Sequence, residues 1–248
     1  MRGYTLMQKR SVFLKNKRKQ HQKKKIYRLA TLLFIVSIFM MFNDHLSRKI
    51  LSLNPKPSLE EIASSTKSKA EKKDFDYHQT KKANIISALR ATFQDNNVPV
   101  IGAISIPDLE INLPILRGIS DYAILMGAGT MKPEQKMGEG NYSLTSHHML
   151  DESVLFGPLL HAKEGMLAYT TDLNNLYEYE ITSSSYIKAT DVHVIDNHHN
   201  TQELTLITCD ETGEGRFMVK GVLNQITPIE STNQQLLDMF YRKQNLYQ

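Results

Sequence analysis

The chain has 248 residues, of which 41% are apolar and 23% charged, a composition typical of an ordinary globular protein. Its one cysteine excludes an internal disulfide framework and any zinc site built mainly from cysteines. The formal net charge of +4 is unevenly distributed, because residues 1–43 carry eleven Lys or Arg and no Asp or Glu, whereas the rest sums to −7. Since the basic excess lies in one short tail, the charge gives no support to a nucleic-acid-binding function.

The basic tail leads directly into an apolar segment. Residues 26–42 are apolar apart from one Thr, one Ser and Arg28, and a helix of that length spans roughly 25 Å, near the lower limit for a bilayer core. A signal-peptide core is the alternative, but no small-residue cleavage site follows. We therefore predict a retained signal anchor at residues 26–46, with residues 1–25 in the cytoplasm and everything after about residue 45 outside the membrane.

The next part of the chain is predicted to be a linker. Residues 47–82 are polar, rich in Ser, Lys and Glu, and have no sustained hydrophobic period, which indicates a flexible extracellular stalk. Residues 83–93 then place apolar side chains at helical spacing, which predicts an amphipathic helix. This helix begins a folded domain that we assign to residues 83–248.

From Val100 onward the hydrophobic period changes to two. The alternation of apolar and polar residues at 104–106 and 109–115 predicts two half-buried strands joined by a turn at Pro107-Asp108. A short helix is expected near residues 156–162. Further strands are predicted at residues 142–147, 166–170, 176–182, 192–195, 204–209 and 217–223. About eight strands with almost no long helix indicate a mainly β fold, either a barrel or a sandwich.

The cysteine lies at the end of one of these strands. Cys209 ends the strand, residues 210–215 form a loop, and Arg216 begins the next strand. Paired as an antiparallel hairpin, the two strands would bring Cys209 and Arg216 opposite each other, roughly 4.8 Å apart. A cation there favours a thiolate or negative charge on a substrate carbonyl, whereas the three carboxylates of the loop oppose the first effect. An inert, buried cysteine is the alternative, although a single thiol is unusual in an extracellular domain.

A thiol nucleophile requires a base, and two of the nine histidines stand out. His147 and His148 follow an alternating segment at residues 141–146, so one of them projects from a strand end as Cys209 does. Adjacent residues of a strand point to opposite faces, which makes joint chelation of a metal by this pair difficult. The residues alone leave a catalytic Cys–His pair and a structural cysteine as open alternatives.

Several segments of the domain resemble those of the sortases, the membrane-anchored cysteine transpeptidases of Gram-positive bacteria. Thr205-Leu206-Ile207-Thr208-Cys209, followed by Arg216, is similar to the TLxTC signature of that family. The other similar segments are Thr145-Ser146-His147-His148, residues 102–107 with residues 111–115, and Gly127-Ala128-Gly129-Thr130-Met131. The resemblance covers about residues 83–225, and the N-terminal anchor extends it.

The resemblance implies an eight-stranded sortase-type β-barrel with a few short helices, preceded by an N-terminal transmembrane helix. It implies that Cys209 is the nucleophile, that His147 is the general acid and base, and that Arg216 holds the substrate backbone and stabilises the oxyanion. The residues implied to shape the site or bind substrate are Thr208, Ile207, His148 and Ser146. Ile207 and residues near Val192 and Val194 are equally well explained as barrel core.

The resemblance also implies the reaction and its partners. The enzyme would cleave an LPxTG-type sorting signal at the Thr–Gly bond through a Cys209 thioester. It would then transfer the surface protein to the amine of a peptidoglycan precursor of the lipid II type. The expected partners are therefore LPxTG-motif surface proteins, this amine acceptor and the cell membrane, and no nucleic acid.

Two features that differ among sortases, the C-terminal segment and an acidic loop, indicate the subclass and the need for a cofactor. Residues 241–248 are polar without a second hydrophobic span, which resembles the housekeeping class A more than the pilus-assembling sortases. Residues 131–140 offer only Glu134 and Glu139, whereas calcium takes six to eight oxygen ligands, so we expect neither a calcium site nor another cofactor. Two glycines before Arg216 suggest a loop that closes on substrate. The alternatives are an extracellular cysteine peptidase, a pilus-assembling sortase, and a membrane-tethered binding module.

Overall fold

The computed structural model describes residues 24, 25, 27–38, 49, 98–149, 151–210, 214–242 and 244–246. The chain divides into two compact units, Met1–His45 and Leu46–Gln248. The predicted stalk (apart from residue 49), the amphipathic helix at residues 83–93 and most of the basic tail lie outside the described residues. The boundaries proposed for these segments stay predictions.

The described part of the first unit is helical, at residues 24, 25 and 27–38. Its apolar side chains are exposed, and Thr31 Oγ1 donates a hydrogen bond to the Tyr27 carbonyl at 2.8 Å. Among the helices of the described residues, none has both the length and the apolar character of a membrane span. The signal anchor at residues 26–46 stays a prediction, and residues 39–46 lie outside the described part.

The described part of the second unit forms a closed barrel of eight strands, which confirms the predicted mainly β fold and selects the barrel over the sandwich. The strand order around the barrel is β1-β2-β3-β4-β7-β8-β6-β5. Neighbouring strands are antiparallel except for β2 with β3 and β4 with β7, which are parallel. The strands are β1 (Val100–Ile106), β2 (Ile111–Leu116), β3 (Ala128–Thr130), β4 (Asn141–Thr145), β5 (Leu167–Thr171), β6 (Asn175–Lys188), β7 (Glu203–Cys209) and β8 (Gly215–Pro228).

The parallel pairing of β4 with β7 determines which residues meet at one end of the barrel. Parallel strands end at the same edge of a sheet, and Thr145 at the end of β4 pairs with Ile207 near the end of β7. β8 is antiparallel to β7, so it begins at that edge, with Arg216 opposite Cys209. The ends of β4 and β7 and the start of β8 therefore converge.

Among the described residues of the second unit, two short α-helices lie against the barrel, α1 (Asp121–Met126) and α2 (Gln234–Tyr241). Met239 and Phe240 of α2 form a buried cluster with Ala103 of β1 and Leu176 of β6. Almost every residue of β1 and β2 is buried, and the prediction that these strands are half-buried is wrong. Alternation indicates two faces of different polarity, but it cannot reveal a distant helix that covers the more polar face.

Other elements differ from the prediction in their type or length. Residues 192–195, predicted as a strand, form a 3₁₀ helix, Val192–Ile195, and so short a run of alternating residues does not separate the two structures. The short helix expected near residues 156–162 is present as the 3₁₀ helix Gly157–His161. β3, α1 and α2 were not predicted, and β6 and β8 extend to 14 residues each.

Candidate active site

A groove at the end of the barrel where β4, β7 and β8 converge contains the three residues predicted to react, His147, Cys209 and Arg216. Its volume is about 160 Å³. The apolar part of its lining is formed by Ile119, Ile124, Met131, Ile187, Ala189, Val192, Val194, Ile195 and Ile207. A mostly apolar groove with a few convergent polar groups is the usual form of a site for an organic ligand.

Cys209 is the last residue of β7 and is half-buried. It pairs across the ladder with Arg216, in agreement with the predicted hairpin. Asp210 closes the turn after it, because its N–H donates to the Gly215 carbonyl at 3.3 Å and its carboxylate accepts from the Gly215 N–H at 2.9 Å. A Cβ at Gly215 would overlap the Asp210 carboxylate, so glycine is required for this close approach. The thiol therefore lies at the end of a strand whose following turn is fixed by hydrogen bonds.

Arg216 is held over the same turn. Its Nη1 donates a hydrogen bond to the Gly215 carbonyl at 2.8 Å, and its side chain lines the groove. A guanidinium carries five N–H donors in a planar fork, so one bond to its own hairpin leaves donors that can face a ligand. Arg216 can thus supply a fixed positive charge beside the thiol.

His147 lies two residues beyond β4 and is 5% exposed. Its N–H donates to the Ile124 carbonyl of α1 at 3.3 Å, and its carbonyl accepts from the Phe156 N–H at 3.3 Å. Burial, and secondly the positive charge of Arg216, lower the pKa of His147 to about 4. The imidazole is therefore neutral at pH 7. Its Nε2 is buried and has no hydrogen-bond partner among the described residues, so it is available to exchange a proton.

Hydroxyl groups tie the segment that bears His147 to the strand that bears Cys209. Thr208 Oγ1 donates to the Ser146 carbonyl at 3.1 Å, and Thr145 Oγ1 donates to the Ile207 carbonyl at 2.9 Å. Ser146 Oγ donates to the Gly127 carbonyl at 2.7 Å. Ser146 and Ile207 also line the groove, whereas Thr208 is 1% exposed and lies between the two segments. Roles for these residues in binding substrate stay predictions.

His148 occupies a different position from His147. Its Nδ1 lies 3.3 Å from the Asp210 carbonyl, next to the turn that follows Cys209. The lining of the groove includes His147 but not His148. The two histidines thus face different surroundings, as expected for adjacent residues of an extended segment.

One apolar wall of the groove is carried by the 3₁₀ helix Val192–Ile195, which a buried amide supports from behind. Asn141, at the start of β4, is fully buried, and its Nδ2 donates to the carbonyls of Val194 at 3.0 Å and Asp196 at 3.2 Å. Its Oδ1 accepts from Thr205 Oγ1 of β7 at 2.7 Å. The wall is therefore connected directly to the two strands that present the residues predicted to react.

A lysine ammonium supports the same wall. Lys132 Nζ donates to the Ile195 carbonyl at 2.8 Å and to Asn197 Oδ1 at 2.6 Å. Burial lowers the pKa of Lys132, and the Asp196 carboxylate opposes that effect. Neither Lys132 nor Asn141 was predicted to belong to the site. Their partners lie more than fifty residues away in the sequence, and no local pattern marks them.

Within the described residues, no group of three or more His, Cys, Asp or Glu side chains is arranged to hold a metal ion. The expectation that the protein works without calcium or another cofactor stays a prediction, because this geometric finding does not test activity.

The sortase-domain family model matches residues 104–224 of this chain. Sortase A of Streptococcus agalactiae is 35% identical over 243 residues, which cover 94% of this chain and 98% of that protein. Sortase A of Listeria monocytogenes is 35% identical over 202 residues, which cover 79% of this chain and 90% of that protein.

Solved structures give the same comparison at the level of the fold. The crystal structure of Listeria monocytogenes sortase A matches with a TM-score of 0.55 and 42% identity, covering 58% of this chain and 99% of that one. Sortase C-3 from Streptococcus pneumoniae, at 20% identity and a TM-score of 0.52, shares the fold over 76% of this chain and 99% of that one.

Proposed function

This chain belongs to the sortase family of cysteine transpeptidases, and on that premise we propose that it attaches surface proteins to the cell wall. In this proposal the enzyme cleaves an LPxTG-type sorting signal between Thr and Gly. It transfers the new carboxyl end to the amine of a peptidoglycan precursor of the lipid II type. The observation that carries the proposal is the groove that brings Cys209, His147 and Arg216 together beside an apolar wall.

In the first step the Cys209 sulfur attacks the Thr carbonyl carbon. The thiol proton passes to neutral His147, and the carbonyl oxygen gains negative charge next to the Arg216 guanidinium. The C–N bond then breaks, and His147 gives the proton to the departing Gly amine. Because burial and Arg216 lower the pKa of His147 to about 4, its protonated form is a strong donor to that amine.

In the second step the acceptor amine attacks the thioester carbonyl. His147 takes a proton from the attacking nitrogen, an amide bond forms, the C–S bond breaks, and the proton returns to the Cys209 sulfur. Cysteine and histidine therefore end in the state in which they began. The same cycle with water in place of the amine would be hydrolysis, so the fate of the thioester separates a transpeptidase from a peptidase.

The surroundings of the reactive groups support a peptide substrate with apolar side chains. Ile207, Val192, Val194 and Ile195 give the groove a surface on which the Leu and Pro of a sorting signal can be buried. In the proposal Ser146 contacts the substrate backbone, whereas Thr208 and His148 hold the two reactive segments in place.

The proposal includes a location at the cell membrane. The N-terminus lies in the cytoplasm, a single span follows, and the barrel lies outside the cell. Anchored enzyme, anchored substrate and lipid-linked acceptor then share one surface, which raises their effective concentrations. The absence of any need for calcium or another cofactor is part of the same proposal.

The test uses the purified full chain, a fluorogenic LPxTG peptide and an amine acceptor such as triglycine. We expect a new amide product that requires the amine, and a mass increase at Cys209 that corresponds to the thioester. Cys209→Ala should abolish both.

Three outcomes separate the possibilities. Release at the same rate with and without amine, and with no amide product, would identify a peptidase. Neither thioester nor cleavage with a panel of sorting peptides would refute the enzymatic proposal. A preference for a lysine side chain of a pilin over a peptidoglycan-type amine would identify a pilus-assembling enzyme.

A further inference from the structure

Asn245 lies between β2 and the loop that follows His147, and it forms hydrogen bonds with both. On the β2 side, its N–H donates to the Asn112 carbonyl at 3.3 Å and its Oδ1 accepts from the Asn112 N–H at 2.9 Å. On the loop side, its carbonyl accepts from the Leu155 N–H at 2.8 Å and its Nδ2 donates to the Leu155 carbonyl at 2.8 Å. All four polar groups of Asn245 therefore connect two segments that are distant in the sequence.

The bridge is anchored on the barrel. Asn112 is 5% exposed, and its Nδ2 donates to the Arg242 carbonyl at 2.8 Å, which fixes the chain shortly before Asn245. Leu246 is buried in the same apolar cluster as Leu155. Hydrogen bonds in such surroundings are stronger than those in water, because the local dielectric constant is low.

The loop residue that Asn245 holds has an unusual backbone. Leu155 has a φ of 53°, in the left-handed region, which a bulky residue without hydrogen-bonding side-chain groups rarely adopts. Such a conformation persists only when neighbouring structure stabilises it. Both backbone hydrogen-bonding groups of Leu155 are engaged by Asn245, so Asn245 supplies that support.

The conformation of Leu155 sets the direction of the next N–H. Phe156 is fully buried, and its N–H donates to the His147 carbonyl at 3.3 Å. The opposite side of the His147 backbone is held by the Ile124 carbonyl. His147 is therefore fixed between α1 and Phe156. Asn245 in turn constrains Leu155, which precedes Phe156 in the loop.

We propose that Asn245 is a positioning residue for His147, acting through Leu155 and the Phe156 N–H. The proposal rests on the role of His147 as acid and base in the proposed function. The positioning role requires a side chain that accepts a hydrogen bond from the Asn112 N–H and at the same time donates one to the Leu155 carbonyl, which an amide can do. An ionised aspartate keeps the acceptor and loses the donor, so Asn245→Asp removes the side-chain bond to the Leu155 carbonyl and keeps the bond to Asn112. The main-chain bond from the Leu155 N–H to the Asn245 carbonyl remains in every variant.

The experiment compares the full-length chain with its Asn245→Asp, Asn245→Ala and Met239→Ala variants. Met239 is buried in the cluster around α2 and lines the same cavity as Asn245, so its truncation removes apolar packing there but none of the hydrogen bonds of Asn245 or Leu155. For each protein we would measure the Tm, kcat and KM with a sorting peptide and an amine, and amide hydrogen exchange at Phe156. These readouts separate a loss of positioning from a loss of stability.

We expect Asn245→Asp to lower kcat about tenfold, since small misplacements of a catalytic group are costly, and to change KM less than about twofold. The Phe156 amide should exchange faster in that variant. Met239→Ala should lower the Tm and leave both kcat and Phe156 exchange unchanged well below the Tm. Asn245→Ala, if it folds, should resemble Asn245→Asp with a lower Tm.

Unchanged kcat and unchanged Phe156 exchange in Asn245→Asp would overturn the inference. An equal loss of kcat in Met239→Ala at a matched loss of Tm would overturn it as well, because Asn245 would then contribute only stability. If the wild-type chain forms no thioester with any sorting peptide, the proposed function fails instead. Exchange at Phe156 then still decides whether Asn245 holds the loop.

Discussion

Replacing His147 with glutamine removes a buried imidazole whose pKa is lowered to about 4 by burial and by Arg216. In the unfolded chain the same group titrates at about 6.5, so between these two values only the unfolded chain takes up its proton. Stability is therefore lost as the pH falls from about 6.5 to about 4. The full difference corresponds to roughly 3 kcal/mol, of which about 2 kcal/mol is lost between pH 7 and pH 5.

The measurement is the free energy of unfolding by urea at pH 7 and pH 5, for the wild type and for His147→Gln. Far-ultraviolet circular dichroism is the suitable signal, because the chain has no tryptophan. Other groups titrate in both proteins, so the informative quantity is the difference between their pH dependences. We expect the wild type to lose about 2 kcal/mol more than the variant on acidification.

Equal pH dependences for the two proteins would refute this reasoning. They would mean that His147 keeps an ordinary pKa in the folded protein, and hence that water reaches its ring. Arg216→Gln provides a second check, because removal of the positive charge should raise the pKa of His147 and reduce the loss on acidification.

Three further predictions concern the groove and its supports. Lys132→Met should raise the KM for a sorting peptide several-fold and speed hydrogen exchange in residues 192–197, because charge-assisted bonds to that segment are lost. Lys136→Met is the control, since Lys136 forms an exposed ion pair with Glu139. Equal effects of both variants would contradict the prediction. Thr208→Val should lower both the Tm and kcat/KM, since the buried Ser146 carbonyl loses its donor at a cost of about 1–3 kcal/mol, whereas Thr208→Ser should behave like the wild type. The turnover rate should be equal, within about twofold, in buffer with calcium and in buffer with a chelator. Strict dependence on calcium would show that the chain supplies enough oxygen ligands for a calcium site.

The hairpin at Cys209 could be predicted from the sequence because it depends on a local rule, whereas the convergence of Cys209 with His147 depends on the distant pairing of β4 with β7 and was implied only by the family resemblance. A strand, a short loop and a second strand place Cys209 opposite Arg216 whatever the rest of the chain does. Likewise, the alternation before His147 indicates a strand that ends near it. The choice of the barrel and the role of each residue required the family resemblance.

Contacts between distant segments could not be predicted. Asn245 meets Asn112 across 133 positions and Leu155 across 90, and no period or motif encodes such a meeting. The burial of both faces of β1 depends on α2 in the same way. The 3₁₀ helix at residues 192–195 is held by Asn141 and Lys132, which bind the carbonyls of Val194 and Ile195, and both partners come from earlier parts of the chain.

The parallel contact between β4 and β7 also has a consequence for the order of assembly. Thr145 and Ile207 are 62 positions apart, so their pairing closes a long loop and belongs to the slow part of folding. During synthesis His147 is made long before Cys209, and Arg216 is made last of the three. The local hairpin can bring Arg216 opposite Cys209 as soon as β8 is made, whereas His147 joins them only when β4 and β7 pair, so the complete site exists only once the barrel has closed.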